Sequence, residues 1–278
     1  MAQNNTALQT YKIKSKLSKK FFRKYTLLNR LLPAILTPLV ILIAWEIAVK
    51  LGYVKVIILP SPSSIFNTLI AMIKSGELTR HLRISLFRVL EGFLIGSILG
   101  LIFGIVIALF KKVEEALSFT ISFLRPIPII AWIPVLILWM GIDEGSKIAV
   151  IAIGSFWPVL INTIDGIKSV DKKYLQVAIV LEKSKINTLF KVVLPSALPS
   201  IFTGIRVGIG IAWMCVVAAE LVAAESGIGY QIMYSREIMQ PNQMFAGVFS
   251  IGLVGFLIEK IIGHIESKIL KWNVNIKS

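Results

Sequence analysis

Few residues in this chain have the types and spacing of a catalyst or a metal centre. The two histidines, His81 and His264, are far apart and fall on opposite sides of the membrane that the apolar runs predict, so no His/Cys ligand cluster is expected and no metal is assigned. The single cysteine, Cys215, lies inside an apolar run, where it reads as a small packing residue. No Gly-x-x-x-x-Gly-Lys-Ser/Thr loop occurs, and the nearest string, GIDEGSK (Gly141–Lys147), has the wrong spacing to cradle phosphates. Neither Gly-x-Ser-x-Gly nor His-Glu-x-x-His is present. These absences assign no catalytic residue and predict that the chain is not an enzyme. Ionisable residues within the apolar runs are sparse: Glu46 and Glu91 near helix ends, and Glu220 near the outer end of a later run. An acid without a partner is costly there, and Arg88 begins another run at a comparable depth, so an Arg88–Glu220 pair is expected, against the alternative of Glu220 reaching headgroup water. A paired or gating role is therefore preferred for Glu220.

The elements that must position these groups are membrane spans. The chain has 278 residues, 56% hydrophobic and 16% charged, with a mean hydropathy of +0.79. That apolar share exceeds the ~45–50% of a soluble domain. A span takes about 20 apolar residues, and six runs qualify: Pro33 to Val49, Leu86 to Phe110, Leu117 to Met140, Ile148 to Ile167, Ile201 to Ala224 and Phe245 to Ile262. The fold class is therefore an all-α polytopic membrane protein of about six transmembrane helices. Its net charge of +15 is placed for topology. Lys12, Lys14, Lys16, Lys19, Lys20, Arg23, Lys24 and Arg30 precede the first run with no acid among them, which sets a cytoplasmic N-terminus and an uncleaved first span. Six spans return the C-terminus, with Lys260, Lys268, Lys271 and Lys277, to the same side. Without aromatic interleaving or a folded basic module, the basic residues point to lipid headgroups and exclude nucleic acid. The domain division is a basic segment 1–32, a membrane domain 33–263 and a tail 264–278.

Between the first two spans, Pro60 and Pro62 mark a turn on the outer face, with Ser63 or Ser64 capping a short amphipathic helix that ends near Gly76. Gly92, Gly96, Gly100, Gly104 and Ala108 recur every fourth residue in the second span and predict close contact with a helix of this or another copy. Gly204, Gly208 and Ala212 repeat the pattern in the fifth. Pro126, Pro128 and Pro134 interrupt the third span, where only protein or water can satisfy the freed carbonyls. The third and fifth spans are thus expected to form the pathway and the contact between two copies, with Pro128, Trp132, Pro134, Gly208, Trp213, Glu220 and Arg88 as pathway or gate residues. A structural kink and interfacial tryptophans are the plainer alternatives.

One connection differs from the rest. Ser169 to Ser200 carries apolar positions at helical spacing, Leu175, Ala178, Ile179 and Leu181, then Ile186, Leu189, Phe190, Val193 and Leu194. Two short helices joined near Glu182 to Lys185 and ended by Pro195 and Pro199 are predicted on the cytoplasmic side. They either dock a partner or lie on the headgroups.

Val177 and Ala178, followed at the matching distance by Leu194 and Pro195, resemble the EAA loop of the permease subunits of bacterial ABC importers. LPSPSSIFNTL (Leu59–Leu69), SLFRVLEGFLIG (Ser85–Gly96), IPIIAWIPVLILWMGIDEGSKI (Ile127–Ile148), INTIDGIKSVDKKYLQVA (Ile161–Ala178), the run Leu194–Tyr230 and the closing ILKWN resemble the nitrate/sulfonate/taurine/bicarbonate branch of that family, in order. The family's usual Glu is Gln176 here, and its usual turn Gly is Glu182. The resemblance implies a coupling segment, about 169–200, in which Gln176, Val177, Ala178, Leu181, Glu182, Leu189, Leu194 and Pro195 meet an ATPase, with Ala178, Leu181, Glu182 and Leu189 near the centre. It implies a homodimer in the bacterial cytoplasmic (inner) membrane, two cytoplasmic ATPase subunits and an extracytoplasmic solute-binding protein. No cofactor is bound by this chain, and ATP sits on the partner. The solute implied is a small anion such as a sulfonate, nitrate, taurine or bicarbonate, with a thiamine-precursor pyrimidine as the alternative. A secondary transporter is disfavoured, because intramembrane acids are scarce and no inverted repeat is seen.

Overall fold

The computed structural model describes residues 33 and 36–272. The basic N-terminal segment and Lys277 lie outside the described residues. Among those described, every regular element is helical. Residues up to Phe66 belong to one compact unit and those from Asn67 to another. In the first unit, α1 (36–50) leads into a turn and the start of α2 (Pro62–Lys74). Glu46 accepts from the Ser63 backbone N–H at 3.0 Å and from Ser63 Oγ at 2.8 Å, and it pairs with Lys50 at 3.0 Å. The cap of α2 is Ser61, not Ser63 or Ser64: Ser61 Oγ accepts from the Ser64 N–H at 3.3 Å. Pro62 follows it at the first helical position, where its missing donor costs nothing.

The second unit is built on three long helices, α3 (Glu77–Leu109), α6 (Glu144–Lys168) and α9 (Leu194–Ala223). Around them stand α4 (Lys111–Leu124), α5 (Trp132–Met140), α7 (Lys172–Val180), α8 (Lys185–Thr188), α10 (Ile228–Glu237) and α11 (Pro241–Ile269). The small-residue stripe of α3 meets α6 of the same chain. A Cβ at Gly92 would lie 2.6 Å from Ile151 Cβ, one at Gly100 2.8 Å from the Phe156 carbonyl, and one at Gly104 2.7 Å from Thr163 Cβ. At Gly96 a Cβ would overlap the Ala152 carbonyl and Ser155 Oγ. The stripe of α9 meets α6 from another side, with the Cβ position of Gly204 2.9 Å from the Pro158 carbonyl and that of Gly208 3.3 Å from the Ser155 carbonyl. This corrects the expectation that Gly204, Gly208 and Ala212 admit a second copy: the approach they permit is taken up by α6. Val150, Ile151, Ala212, Val216 and Ala219 fill the core so formed, and Cys215 packs there with its Sγ against Gly154.

Six spans were predicted. Among the described residues four single helices are long and apolar enough to cross a membrane, namely α3, α9 with the turns leading into it, α6 and α11. A fifth is obtained if Lys111–Leu124 and Ile129–Met140 count as one span bent by 83°. Of the first run, residue 33 and residues 36–50 are helical, and residues 34 and 35 lie outside the described residues. Helices also overrun the predicted apolar limits, since amphipathic ends continue the backbone ladder: α3 starts at Glu77 and α11 runs to Ile269. The bend falls where Pro126 and Pro128 withhold backbone donors. Pro134 sits in the first turn of α5, where no donor is needed.

Because the α3–α6 seam is backbone against backbone, Gly100→Leu should destabilise the protein by about 1–3 kcal/mol or more. Gly252→Leu, with nothing within 4 Å of the added Cβ, should be close to neutral. Thermal unfolding in detergent compares the two, and equal shifts would remove the seam from the account.

Candidate functional site

At one end of the second unit, a polar stripe on α3, His81, Ser85 and Arg88, is buried between α6, α9 and the turn that follows α9. Arg88 is 3% and Glu220 1% exposed. The Arg88 guanidinium donates through Nη1 to Glu220 Oε1 at 2.7 Å. It forks onto Glu144, with Nε to Oε2 and Nη2 to Oε1 both at 2.6 Å. Its remaining hydrogens go to Ser226, the carbonyl at 2.7 Å and Oγ at 3.0 Å. Glu220 also accepts from Ser85 Oγ at 2.7 Å and from the Gly229 N–H at 2.9 Å. His81 Nδ1 accepts from the Gly227 N–H at 3.1 Å, and Ser85 Oγ accepts from the Ile228 N–H at 2.9 Å. Gly227, at φ 109°, leaves no room for a side chain beside the Glu220 carboxylate. Lys147, also buried, donates to the Ile142 carbonyl at 2.9 Å and stands 3.5 Å from Glu144 Oε1. Two cations and two acids thus balance, and every polar atom of the buried Arg88 and Glu220 side chains is hydrogen-bonded, which makes their burial tolerable.

The other predicted pathway residues are dispersed. Pro128 lines a cleft of about 430 Å³ at the bend. Trp132 lines a separate apolar cavity of about 340 Å³ with Phe103, Phe156 and Trp157. Trp213 is buried, donates through Nε1 to the Ile251 carbonyl at 3.1 Å and packs against Gly255 of α11. Pro134 and Gly208 serve α5 and the α6–α9 contact as described above.

The connection 169–193 lies at the opposite ends of α6 and α9, where Ile167, Val193, Ala197 and Ile201 cluster and Lys168 pairs with Glu114. Asp171 caps α7 by accepting from the Lys173 N–H at 2.9 Å, and Ser184 caps α8 by accepting from the Asn187 N–H at 3.3 Å. Between them, the Lys183 N–H donates to the Ala178 carbonyl at 3.1 Å and the Glu182 N–H to the Ile179 carbonyl at 2.9 Å. These are the two bonds of a Schellman turn, and its left-handed position is Glu182, at φ 51°. The residue in place of the usual glycine therefore adopts the glycine conformation. Pro195 and Pro199 do not end the segment as expected. A π turn over Leu189–Val193, with the Leu194 N–H donating to the Leu189 carbonyl, carries α8 into α9, and both prolines lie within α9. Ala178 is 4% exposed and Leu189 and Leu194 are half-buried, whereas Gln176, Val177, Leu181 and Glu182 are exposed.

Residues 92–271 match the family model described as binding-protein-dependent transport system inner membrane component. The chain belongs to this family. It is a transport permease, not an enzyme. A putative aliphatic sulfonates transport permease protein, SsuC of Bacillus subtilis (strain 168), is 45% identical over 238 residues, 86% of each chain. The bicarbonate transport system permease protein CmpB of Synechocystis is 34% identical, covering 90% of this chain and 92% of its own. The taurine transport system permease protein TauC of Escherichia coli (strain K12) is 31% identical, covering 84% and 87%. In fold, the permease resembles a chain of the inward-facing MetNI methionine ABC transporter, with a TM-score of 0.63 at 16% identity, over 69% of this chain and 95% of that one.

Sequence reasoning brought Arg88 and Glu220 together but missed Ser85, Glu144 and Ser226. The signal for Ser85 was present: His81, Ser85 and Arg88 are four and three residues apart, one polar stripe on an apolar helix. Glu144 was passed over within the GIDEGSK string.

Two outcomes follow for this permease. Removing either partner of the buried pair, as Arg88→Leu or Glu220→Leu, should cost about 3–5 kcal/mol, and the double variant less than the sum. Thermal unfolding of the cycle measures this, and additive losses would show that the pair is not coupled. Glu182→Gly should relieve the left-handed backbone and stabilise the turn by about 1 kcal/mol, net of glycine's entropy. Slower hydrogen exchange at the Glu182-position and Lys183 amides reads it out, and faster exchange would contradict it.

Proposed function

We propose that this permease is the membrane-spanning subunit of an ATP-driven importer of small anionic solutes of the sulfonate, taurine or bicarbonate class. Two copies form the translocation path, two cytoplasmic ATPase subunits drive it, and an extracytoplasmic solute-binding protein delivers the solute. The chain spans the bacterial inner membrane six times, counting 33–49, with segment 1–32 and tail 264–278 cytoplasmic. The crowding of Lys168, Lys172, Lys173, Lys183, Lys185 and Lys191 at the end bearing 169–193 supports this orientation. Small anions as cargo are supported by the relatives named for aliphatic sulfonates, taurine and bicarbonate.

The observation that carries the reading is the exposed apolar surface of the 169–193 segment. Val177, Ile179, Val180, Leu181, Ile186 and Phe190 are all exposed, Val180 at 80%. They stand outside the apolar spans, among lysines, where lipid does not cover them by default. An ATPase groove is the proposed cover, and its closure moves α8 and the spans between inward- and outward-facing states. Because Ala178 faces inward, the ATPase contact is assigned to Val177, Val180, Leu181 and Glu182 around it, with Leu194 and Pro195 supporting the segment from α9.

Leu181→Asp tests this in proteoliposomes holding the whole complex. Loss of one buried apolar contact of about 2 kcal/mol should weaken ATPase association by roughly tenfold or more and abolish ATP-driven uptake, while the permease still inserts. Undiminished copurification of the ATPase with this variant would move the contact elsewhere and favour a segment resting on headgroups. Uptake of ethanesulfonate, taurine and bicarbonate should survive an uncoupler and fail on ATP depletion; the reverse would mark a secondary transporter.

A further inference from the structure

The cleft at the bend between α4 and α5 holds a charge that the fold does not neutralise. Arg125 follows the last residue of α4, directly before Pro126, and lines the cleft of about 430 Å³ together with Pro128, Trp157, Asn162, Val207 and Ile211. No acid contributes to the lining. Arg125 is exposed, and among the described residues no carboxylate lies within ion-pair distance of its guanidinium, whereas Arg88 and Arg206 each meet two acids. The α6 residues of the cleft run from Gly154 to Asn162, roughly 15 to 27 Å along the helix from Glu144. That depth falls within a hydrocarbon layer of about 30 Å.

We propose that this cleft is a binding site for a small organic oxyanion, with Arg125 as its charged anchor. A cation without a partner at this depth is costly unless water or a ligand of opposite charge reaches it. The cleft is open to both, and broken spans recur as solute sites because their backbone is freed from the helix ladder. The guanidinium fork matches the paired oxygens of a sulfonate or carboxylate. Asn162 spends one Nδ2 hydrogen on the Pro158 carbonyl at 2.8 Å and retains the second. Opposite these donors, Trp157, Val207 and Ile211 offer an apolar wall. The combination suits an oxyanion carrying a short alkyl chain better than a bare inorganic ion, and it narrows the cargo within the transport reading on which it rests. Arg125 is a specificity determinant in this scheme, and Arg88, locked in its own network, is not.

The test reads the electrostatics of the cleft separately from transport. Val207→Cys, at a half-exposed position on the cleft wall, is made in a Cys215→Ala background and reconstituted with its ATPase in phosphatidylcholine vesicles. The rate of modification by anionic sulfonatoethyl methanethiosulfonate is divided by that of the cationic trimethylammonium reagent. Arg125→Gln should lower this ratio by about tenfold, the effect of one unit charge at close range in a partly polar medium. Arg125→Lys should keep the ratio but weaken protection by ethanesulfonate, and it carries the test if the glutamine variant does not insert. An unchanged ratio in Arg125→Gln, or no protection by ethanesulfonate in the parent, overturns the site. Protection that needs phosphatidylglycerol in the vesicles identifies a lipid headgroup as the occupant and also overturns it. A complex that keeps the Arg125-dependent ratio and protection yet takes up no ethanesulfonate upholds the site and defeats the transport reading instead.

Discussion

The permease depends on the ability of α6 to be approached backbone to backbone from two sides. In lipid there is little hydrophobic drive between helices, so close packing must supply the cohesion. Glycines of α3 come against one face of α6 and those of α9 against another, at distances that leave little or no room for a Cβ. Each helix then contributes main-chain atoms to dense contact, and side chains are left to fill the margins. This leaves the outer faces of α3, α9 and α11 free to carry exposed apolar residues such as Ile98, Met214 and Leu253, as a protein bounded by lipid and by other subunits requires.

The two ends of this three-helix body are finished differently. At the Arg88 end, Arg88 and Glu220 are buried with every polar atom hydrogen-bonded, and the turn Ser226–Gly229 is held by its own backbone amides and carbonyl as well as by side chains. Such a network is costly to open halfway, because any single broken bond leaves a charge without compensation. At the other end, the contacts are apolar and the exposed surface is broad. One end suits a fixed geometry; the other suits a surface that meets a partner. The cleft at the α4–α5 bend lies between them, beside the one broken span.

Much of this was legible in the chain. The four long apolar helices α3, α6, α9 and α11 were visible as apolar runs because lipid imposes both a length and a composition, whereas the third run is a pair of helices bent by 83°. The α3 stripe was visible because its period of four is the helix period. The Arg88–Glu220 pair followed from the cost of an isolated acid. What the sequence hid were events decided by tertiary geometry. Pro195 and Pro199 read as helix stops, but a π turn rearranges the ladder ahead of them and the helix continues. Glu182 stands where the family's turn Gly is usual, and the Schellman bonds hold it in the left-handed region all the same. Ala178 read as the centre of a contact surface, and the fold turns it inward, because apolar spacing alone does not say which stripe of a short helix faces its own chain. Glu144, three residues into a polar loop string, acquires meaning only when α6 is set beside α3.

The π turn has a mechanical consequence. By joining α8 to α9 without a break it makes Lys185–Ala223 one helical rod of 39 residues, about 58 Å long at 1.5 Å per residue. One continuous helix therefore has the lysine-rich segment at one end and Glu220, with the turn it holds, at the other, and between them Gly204 and Gly208 rest against the carbonyls of α6.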